Sequence, residues 1–280
     1  MMRLTRTAVL FSIMTAAVAA CTPISQRGLP PETPTTAVAA TAGSCPATAS
    51  WAPAPPNSAD SLTDYQKSVD VRNRNDWAFL ARYRQANAAL GDPKSGEARV
   101  VFMGNSITDA WAKSFPTMFP GKPYVGRGIS GQTTPQMLVR FRQDVIALKP
   151  RVVVILAGIN DIAGNTGPAT QDMIADNLKS MTEIAKANGI AVVLSSVLPA
   201  YDFPWRRGIG PAPKVVALNA WIKCYATQMN AVYLDYYSKL VDARGGLSPE
   251  MASDGVHPTE AGYRIMAPLA EAAIQKALRQ

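Results

Sequence analysis

Five short apolar runs, most of them followed by a stretch long enough for a helix, constrain this chain more than any other feature. They cover residues 99–103 (RVVFM), 124–129, 151–157 (RVVVILA), 190–197 (IAVVLSSV) and 231–236, each rich in β-branched or aromatic residues. Apolar residues follow one another in these runs instead of alternating, which is the pattern of strands buried on both faces. Helical stretches fall at 135–148, 170–188, 214–229 and 259–278. Such alternation predicts a parallel sheet covered on both sides, a three-layer α/β fold. Pro268 inside the last stretch predicts a kink or break there. Ahead of the first strand, residues 61–90 predict a lead-in helix with Trp77, Leu80 and Tyr83 on one buried face.

The N-terminus differs in character. Residues 1–7 carry Arg3 and Arg6, residues 8–20 are apolar and small, and the run closes on Val18-Ala19-Ala20-Cys21. This resembles a bacterial lipobox and predicts residues 1–20 as a lipoprotein signal peptide. Cys21 would then be the first residue of the mature chain, carrying a thioether-linked diacylglycerol that makes the membrane a partner. Thr22, in place of an aspartate, points to the outer membrane and so to an exported, periplasmic enzyme. Residues 21–60, dominated by Pro, Ala, Thr and Ser, predict a tether. Residues 61–280 form the domain. Beyond Cys21 the cysteines are Cys45 and Cys224, which either pair in an oxidising compartment or stay as thiols.

Charge and histidine content exclude whole classes of function. The formal charge of +8 falls to about +6 once Arg3 and Arg6 leave with the signal. The remaining basic residues, among them Arg140, Arg142, Lys149, Arg151, Arg206 and Arg207, form no stripe that could track a phosphate backbone, so no nucleic-acid partner is expected. His257 is the single histidine, which argues against a zinc site built on several imidazoles. No metal and no cofactor are expected.

In open parallel sheets the chemistry gathers beyond the carboxyl ends of the strands. There the chain places Gly104-Asn105-Ser106, then Gly126-Arg127-Gly128-Ile129-Ser130-Gly131-Gln132, then Gly158-Ile159-Asn160-Asp161, and, before the last helix, Asp254-Gly255-Val256-His257-Pro258. These residues suffice for acyl transfer. Ser106 is the candidate nucleophile, His257 its general base, and Asp254 the carboxylate that fixes the imidazole tautomer. The Ser106 and Gly131 backbone N–H groups with the Asn160 amide are the candidate oxyanion hole. Asp161 reads as a structural carboxylate at a turn or helix start. The string from Gly126 to Gly131 also matches the dinucleotide fingerprint, but the acidic residue required about 20 positions later at a strand end is missing.

These four segments resemble the blocks of the SGNH (GDSL) hydrolase superfamily, whose defining letters are matched in order by Ser106, Gly131, Asn160 and His257. The resemblance runs from about residue 99 to the C-terminus. It implies a flavodoxin-like three-layer α/β/α sandwich with a five-stranded parallel sheet, no metal, and a serine esterase mechanism with the roles given above. Asn105 stands where the family usually has aspartate, and Gln132 where it often has an acidic residue; both bear on substrate preference.

Substrate residues are harder to read. The long segment 199–214 carries Tyr201, Phe203 and Trp205, which either wall the acyl or sugar site or pack on one another; Trp111, soon after Ser106, poses the same choice. Gln132 and Thr133 either line the rim or cap the next helix. The expected activity is hydrolysis of acetyl or short acyl esters on carbohydrate, aryl or lipid alcohols. A periplasmic O-acyltransferase acting on a polysaccharide, or a binding module of the same fold, are the alternatives.

Overall fold

Each apolar run becomes a strand: β1 (Val100–Gly104), β2 (Tyr124–Gly128), β3 (Val152–Leu156), β4 (Ala191–Ser195) and β5 (Val232–Leu234). A computed structural model of the chain describes residues 45–55 and 64–280; the signal segment, Cys21 and most of the tether lie outside the described residues. The strands form one sheet in the order β2-β1-β3-β4-β5, and every neighbouring pair is parallel. From β1 the chain steps out to the edge strand β2, then returns past β1 to β3. That reversal opens a crevice at the carboxyl ends of β1 and β3, where this topology presents ligands.

The continuous apolar runs are explained by two cores. Val101, Met103, Val153, Ile155, Val192 and Leu194 face one side, where they meet residues of α5 (Thr134–Asp144), α7 (Gln171–Ala187) and α8 (Pro211–Gln228). Val100, Phe102, Val152, Val154, Val232 and Leu234 face the other side, toward α3 (Ser106–Ala112) and α10 (Glu260–Leu278). Short helices α4 (Phe115–Met118), α6 (Ile159–Ile162) and α9 (Tyr237–Leu240) complete the connections. The strands alternate, but both faces are covered, so no polar residue marks the period.

Two local expectations are corrected. The lead-in is not one helix: α1 (Asp64–Asn75) and α2 (Arg84–Leu90) are separated by turns over residues 76–83. The Asp76 carboxylate accepts from the Leu80 and Ala81 N–H groups, and Phe79 adopts a left-handed φ of 51°. The freed carbonyls of Trp77, Ala78 and Leu80 accept from the side-chain amides of Gln136, Gln132 and Gln143. Trp77 is therefore exposed, Leu80 half-buried, and Tyr83 alone of the expected face is buried. In the last helix, of the expected kink or break the break does not occur: α10 runs continuously through Pro268, with buried Tyr263 and Met266 before it and Ala270 and Ile274 after it on the core.

Residues 45–54, which the sequence assigns to the tether, lie on the domain. A disulfide joins Cys45 to Cys224 in α8, with Cα atoms 5.5 Å apart. The Ala49 N–H donates to Gln171 Oε1, Trp51 Nε1 to the Ala169 carbonyl, and Lys214 Nζ to the Ala52 carbonyl. The strap thus runs antiparallel to α8 and ends at buried Ala54. Among the described residues, no helix is long and apolar enough to cross a membrane.

Candidate active site

Ser106 begins α3 directly beyond β1, where its N–H has no intrahelical acceptor. Asn105 caps the helix, its Oδ1 accepting from the Ile107 N–H at 3.1 Å. The helix start is pressed against β2: a Cβ on Gly128 would lie 2.1 Å from the Asp109 nitrogen and 2.6 Å from the Asn105 carbonyl oxygen. The dinucleotide-like string therefore has a packing role here, with no side chain tolerated between β2 and α3.

The loop before α10 carries the candidate base. Ser106 Oγ lies 2.8 Å from His257 Nε2, and His257 Nδ1 lies 2.6 Å from Asp254 Oδ2. Asp254 Oδ1 accepts from the Val256 and His257 backbone N–H groups at 2.9 and 2.8 Å. Partial burial would raise the Asp254 pKa, but these hydrogen bonds outweigh it and hold the carboxyl below its ordinary value. Both side chains of the pair are 37% exposed. Pro258 leads into α10, whose cap Thr259 accepts from Gly262 and fastens its own N–H to the Met251 carbonyl.

The loop after β2 and the end of β3 carry the candidate oxyanion donors. Gly131 turns the loop after β2 with a left-handed φ of 80°, a conformation that glycine adopts at no steric cost. Asn160, 3% exposed in α6, donates from Nδ2 to the Gln132 carbonyl at 2.9 Å, which joins the loop after β2 to the end of β3. Its neighbour Asp161 is fully buried and accepts from the Thr134 N–H and from Thr134 Oγ1 at 2.5 Å. Burial pushes its pKa up to about 6 against the pull of those hydrogen bonds.

Beneath this platform lies a buried polar network. Arg140, 0% exposed, donates from Nε to Gln132 Oε1 (2.6 Å), from Nη1 to Asp144 (3.0 Å) and from Nη2 to the Gly104 carbonyl (2.9 Å). One guanidinium thus ties the β1 turn to the residue after Gly131. Burial lowers the Arg140 pKa and Asp144 pulls it back. Sequence reasoning places Arg140 only among scattered basic residues. The usable signal was its position on the same helix face as Met137, Phe141 and Asp144, all buried.

Of the residues expected to touch substrate, most are packed. Trp111 is 1% exposed, stacked on Tyr263 with centroids 5.3 Å apart. Asn105 and Gln132 are buried and committed to the helix cap and the Arg140 network. Thr133 is likewise buried and caps α5. Phe203 is wholly buried and stacks behind Trp205 at 5.2 Å. Trp205 reaches the site, its ring centroid 6.1 Å from that of His257. Tyr201 is 56% exposed, with the Arg244 guanidinium 5.5 Å from its ring centroid. Among the described residues, no cluster of three or more His, Cys, Asp or Glu side chains could hold a metal ion.

A serine, an imidazole and a carboxylate in hydrogen-bonded series at the carboxyl ends of a parallel sheet can form and hydrolyse an acyl-serine. Comparison with known proteins agrees with that chemistry. The fold is similar to the crystal structure of a GDSL-like lipase from Bacteroides thetaiotaomicron VPI-5482, at 50% identity and a TM-score of 0.70, covering 72% of this chain and all of that one. An acetylxylan esterase from Geobacillus stearothermophilus is 30% identical over 209 residues, 62% of this chain and 91% of the esterase. An uncharacterized lipoprotein from Bacillus subtilis (strain 168) is 24% identical over 206 residues, 64% of this chain and 84% of the lipoprotein. Residues 102–265, which span Ser106 through His257, match the GDSL-like Lipase/Acylhydrolase family, and the chain belongs to that family of ester hydrolases.

Proposed function

We propose that this chain is an exported, lipid-anchored serine esterase that removes acetyl or other short acyl groups, with carbohydrate esters as its main substrates. The Ser106–His257–Asp254 hydrogen-bond series is the observation that carries the reading. Ser106 Oγ attacks the ester carbonyl as its proton passes to His257 Nε2. The oxyanion is met by the Ser106 and Gly131 N–H groups and the free hydrogen of the Asn160 amide. The alcohol then leaves with the proton from His257. A water that gives its proton to the same nitrogen attacks the acyl-serine and releases the carboxylic acid and free Ser106. Asp254 stays ionised throughout and stabilises the imidazolium. The preference for carbohydrate rests on Trp205, whose ring beside His257 offers an apolar face of the kind that suits a sugar, and on the resemblance to an acetylxylan esterase.

The lipid anchor rests on Val18-Ala19-Ala20-Cys21. The strap supports it: α8 starts beyond the carboxyl end of β4 and ends before β5, so Cys224 and the attached Cys45 sit at the amino edge of the sheet. That edge is opposite the carboxyl ends of the strands, where Ser106 sits.

The test is hydrolysis of aryl acetate, butyrate, octanoate and palmitate and of acetylated xylo-oligosaccharides by the detergent-solubilised full chain. Acetate turnover that falls about 10⁴-fold or more in both Ser106→Ala and His257→Ala is expected. Turnover surviving in Ser106→Ala would overturn the mechanism, and palmitate as the best ester would overturn the substrate class.

A further inference from the structure

The turn that follows α6, residues 163–167, is held from four directions. The Asn165 N–H donates to the Asn160 carbonyl at 3.0 Å, and Thr166 Oγ1 shares a hydrogen bond with Thr133 Oγ1 at 2.9 Å. Arg206 Nη1 donates to the Ala163 and Gly164 carbonyls. On the outside lies the end of the strap: a Cβ on Gly164, whose φ is 70°, would meet Ala54 Cβ at 2.9 Å.

The Asn165 side chain uses both ends. Nδ2 donates to the Gly131 carbonyl at 3.2 Å, and Oδ1 accepts from Trp205 Nε1 at 3.4 Å. One amide therefore spans from the loop with the oxyanion donor to the aromatic ring beside His257. Phe203, fully buried, backs that ring, so Trp205 is held in place by the stack behind it and by Asn165 at its nitrogen.

We propose that Asn165 is a positioning residue that fixes the spacing of Gly131 and Trp205, and with it the fit of the ester's alcohol, and that the strap fastened by Cys45–Cys224 holds the turn carrying it. This rests on the esterase reading, with Gly131 as an oxyanion donor and Trp205 as a wall. The amide is the required group: an aspartate in its place keeps the acceptor for Trp205 Nε1 but sets a carboxylate against the Gly131 carbonyl. A leucine of similar size offers neither bond.

The test compares two rates on the full chain, hydrolysis of a small aryl acetate and of an acetylated xylo-oligosaccharide, together with stoichiometric labelling of Ser106 by an aryl phosphonate. Asn165→Leu is expected to lower kcat/KM for the oligosaccharide about tenfold, the worth of one ordinary hydrogen bond, and the small acetate by much less. Asn165→Asp is expected to lower kcat for both. Trp205→Phe, which keeps an aromatic face but loses the pyrrole ring with its N–H, should shift selectivity as Asn165→Leu does, and the double variant should add little. Reduction of the disulfide should move selectivity the same way. Equal loss on both substrates, full additivity of Asn165→Leu with Trp205→Phe, or no effect of reduction would overturn the proposal. If Asn165→Leu fails to fold, Trp205→Phe alone decides it through the same selectivity ratio. Wild-type protein that labels at Ser106 while Asn165→Leu behaves identically sinks this inference alone; wild type that neither labels nor hydrolyses sinks the esterase reading along with it.

Discussion

The two halves of the site are built in opposite ways. The half bearing Ser106, Gly131 and Asn160 stands on buried polar groups distant in sequence: Arg140 reaches back 36 residues to the Gly104 carbonyl, and Asn160 reaches back 28 to that of Gln132. In the half bearing His257 the polar support is local: every bond that orients Asp254 comes from within three residues, in a loop where both side chains are partly exposed and only Val256 between them enters the core. Fixed long-range pairs suit an oxyanion platform, whose donors must already be aimed when charge develops. A local turn suits the role proposed for His257, a base that carries a proton between two alcohols. The stability of the fold should therefore reside in the first half, and the sensitivity of the chemistry to single atoms in the second.

The largest effects should separate on that line. Arg140→Met leaves Asp144 buried with its charge uncompensated, and should cost about 3–5 kcal/mol in a urea titration. Asp254→Asn should cost at most about 1 kcal/mol there, because the pair it breaks is solvated. In kcat the order reverses: Asp254→Asn loses about 10⁴-fold through the wrong imidazole tautomer. An Arg140→Met variant as stable as wild type would break the comparison, for the network would then be ornamental.

The same contrast governs what could be read from the sequence. Strands were legible because burial on both faces writes an unbroken apolar run, and Asp254-Gly255-Val256-His257 because its geometry is closed within one turn. Arg140, Gln132 and Asn165 act through partners far along the chain, and a polar side chain leaves no periodic trace of a distant partner. Residues 45–54 carried the composition of a tether, and it is the disulfide to Cys224 and contacts with distant segments, among them Gln171, Ala169 and Lys214, that bring them onto the domain. The break at residues 76–83 has the same origin, since the glutamine amides of another segment take its carbonyls. Burial likewise turned Trp111 and Phe203 from candidate walls into core.

Acid should sharpen the comparison, since the two halves carry carboxyls shifted in opposite directions. Asp161 has its folded pKa raised to about 6, so its contribution to stability is complete below the ordinary aspartate range and is lost as pH rises through about 6. For a fully buried group that slope amounts to about 2 kcal/mol between pH 4 and 7. Asp254 is lowered, so its contribution is present above the ordinary value and lost only as pH falls through its folded pKa. Urea midpoints measured from pH 4 to 7 should show a component falling with pH in wild type that is missing in Asp161→Asn and retained in Asp254→Asn. If Asp161→Asn keeps the full slope, the buried carboxyl is not its source.

The smallest effect probes whether the base loop is truly self-held. Beside buried Val256, which packs into the core, Thr259 fastens the loop by hydrogen bonds, capping α10 through Gly262 and donating from Oγ1 to the Glu250 carbonyl. Thr259→Ala should cost about 1 kcal/mol of stability, as the loss of a helix cap does. It keeps the backbone bond to Met251 and every bond to Asp254, so kcat for a small aryl acetate should stay within about threefold of wild type, about 0.6 kcal/mol in barrier. A loss of a hundredfold would mean that the cap sets the position of His257. The base would then depend on long-range support as Ser106 does, and the contrast between the two halves would reduce to one of solvent exposure.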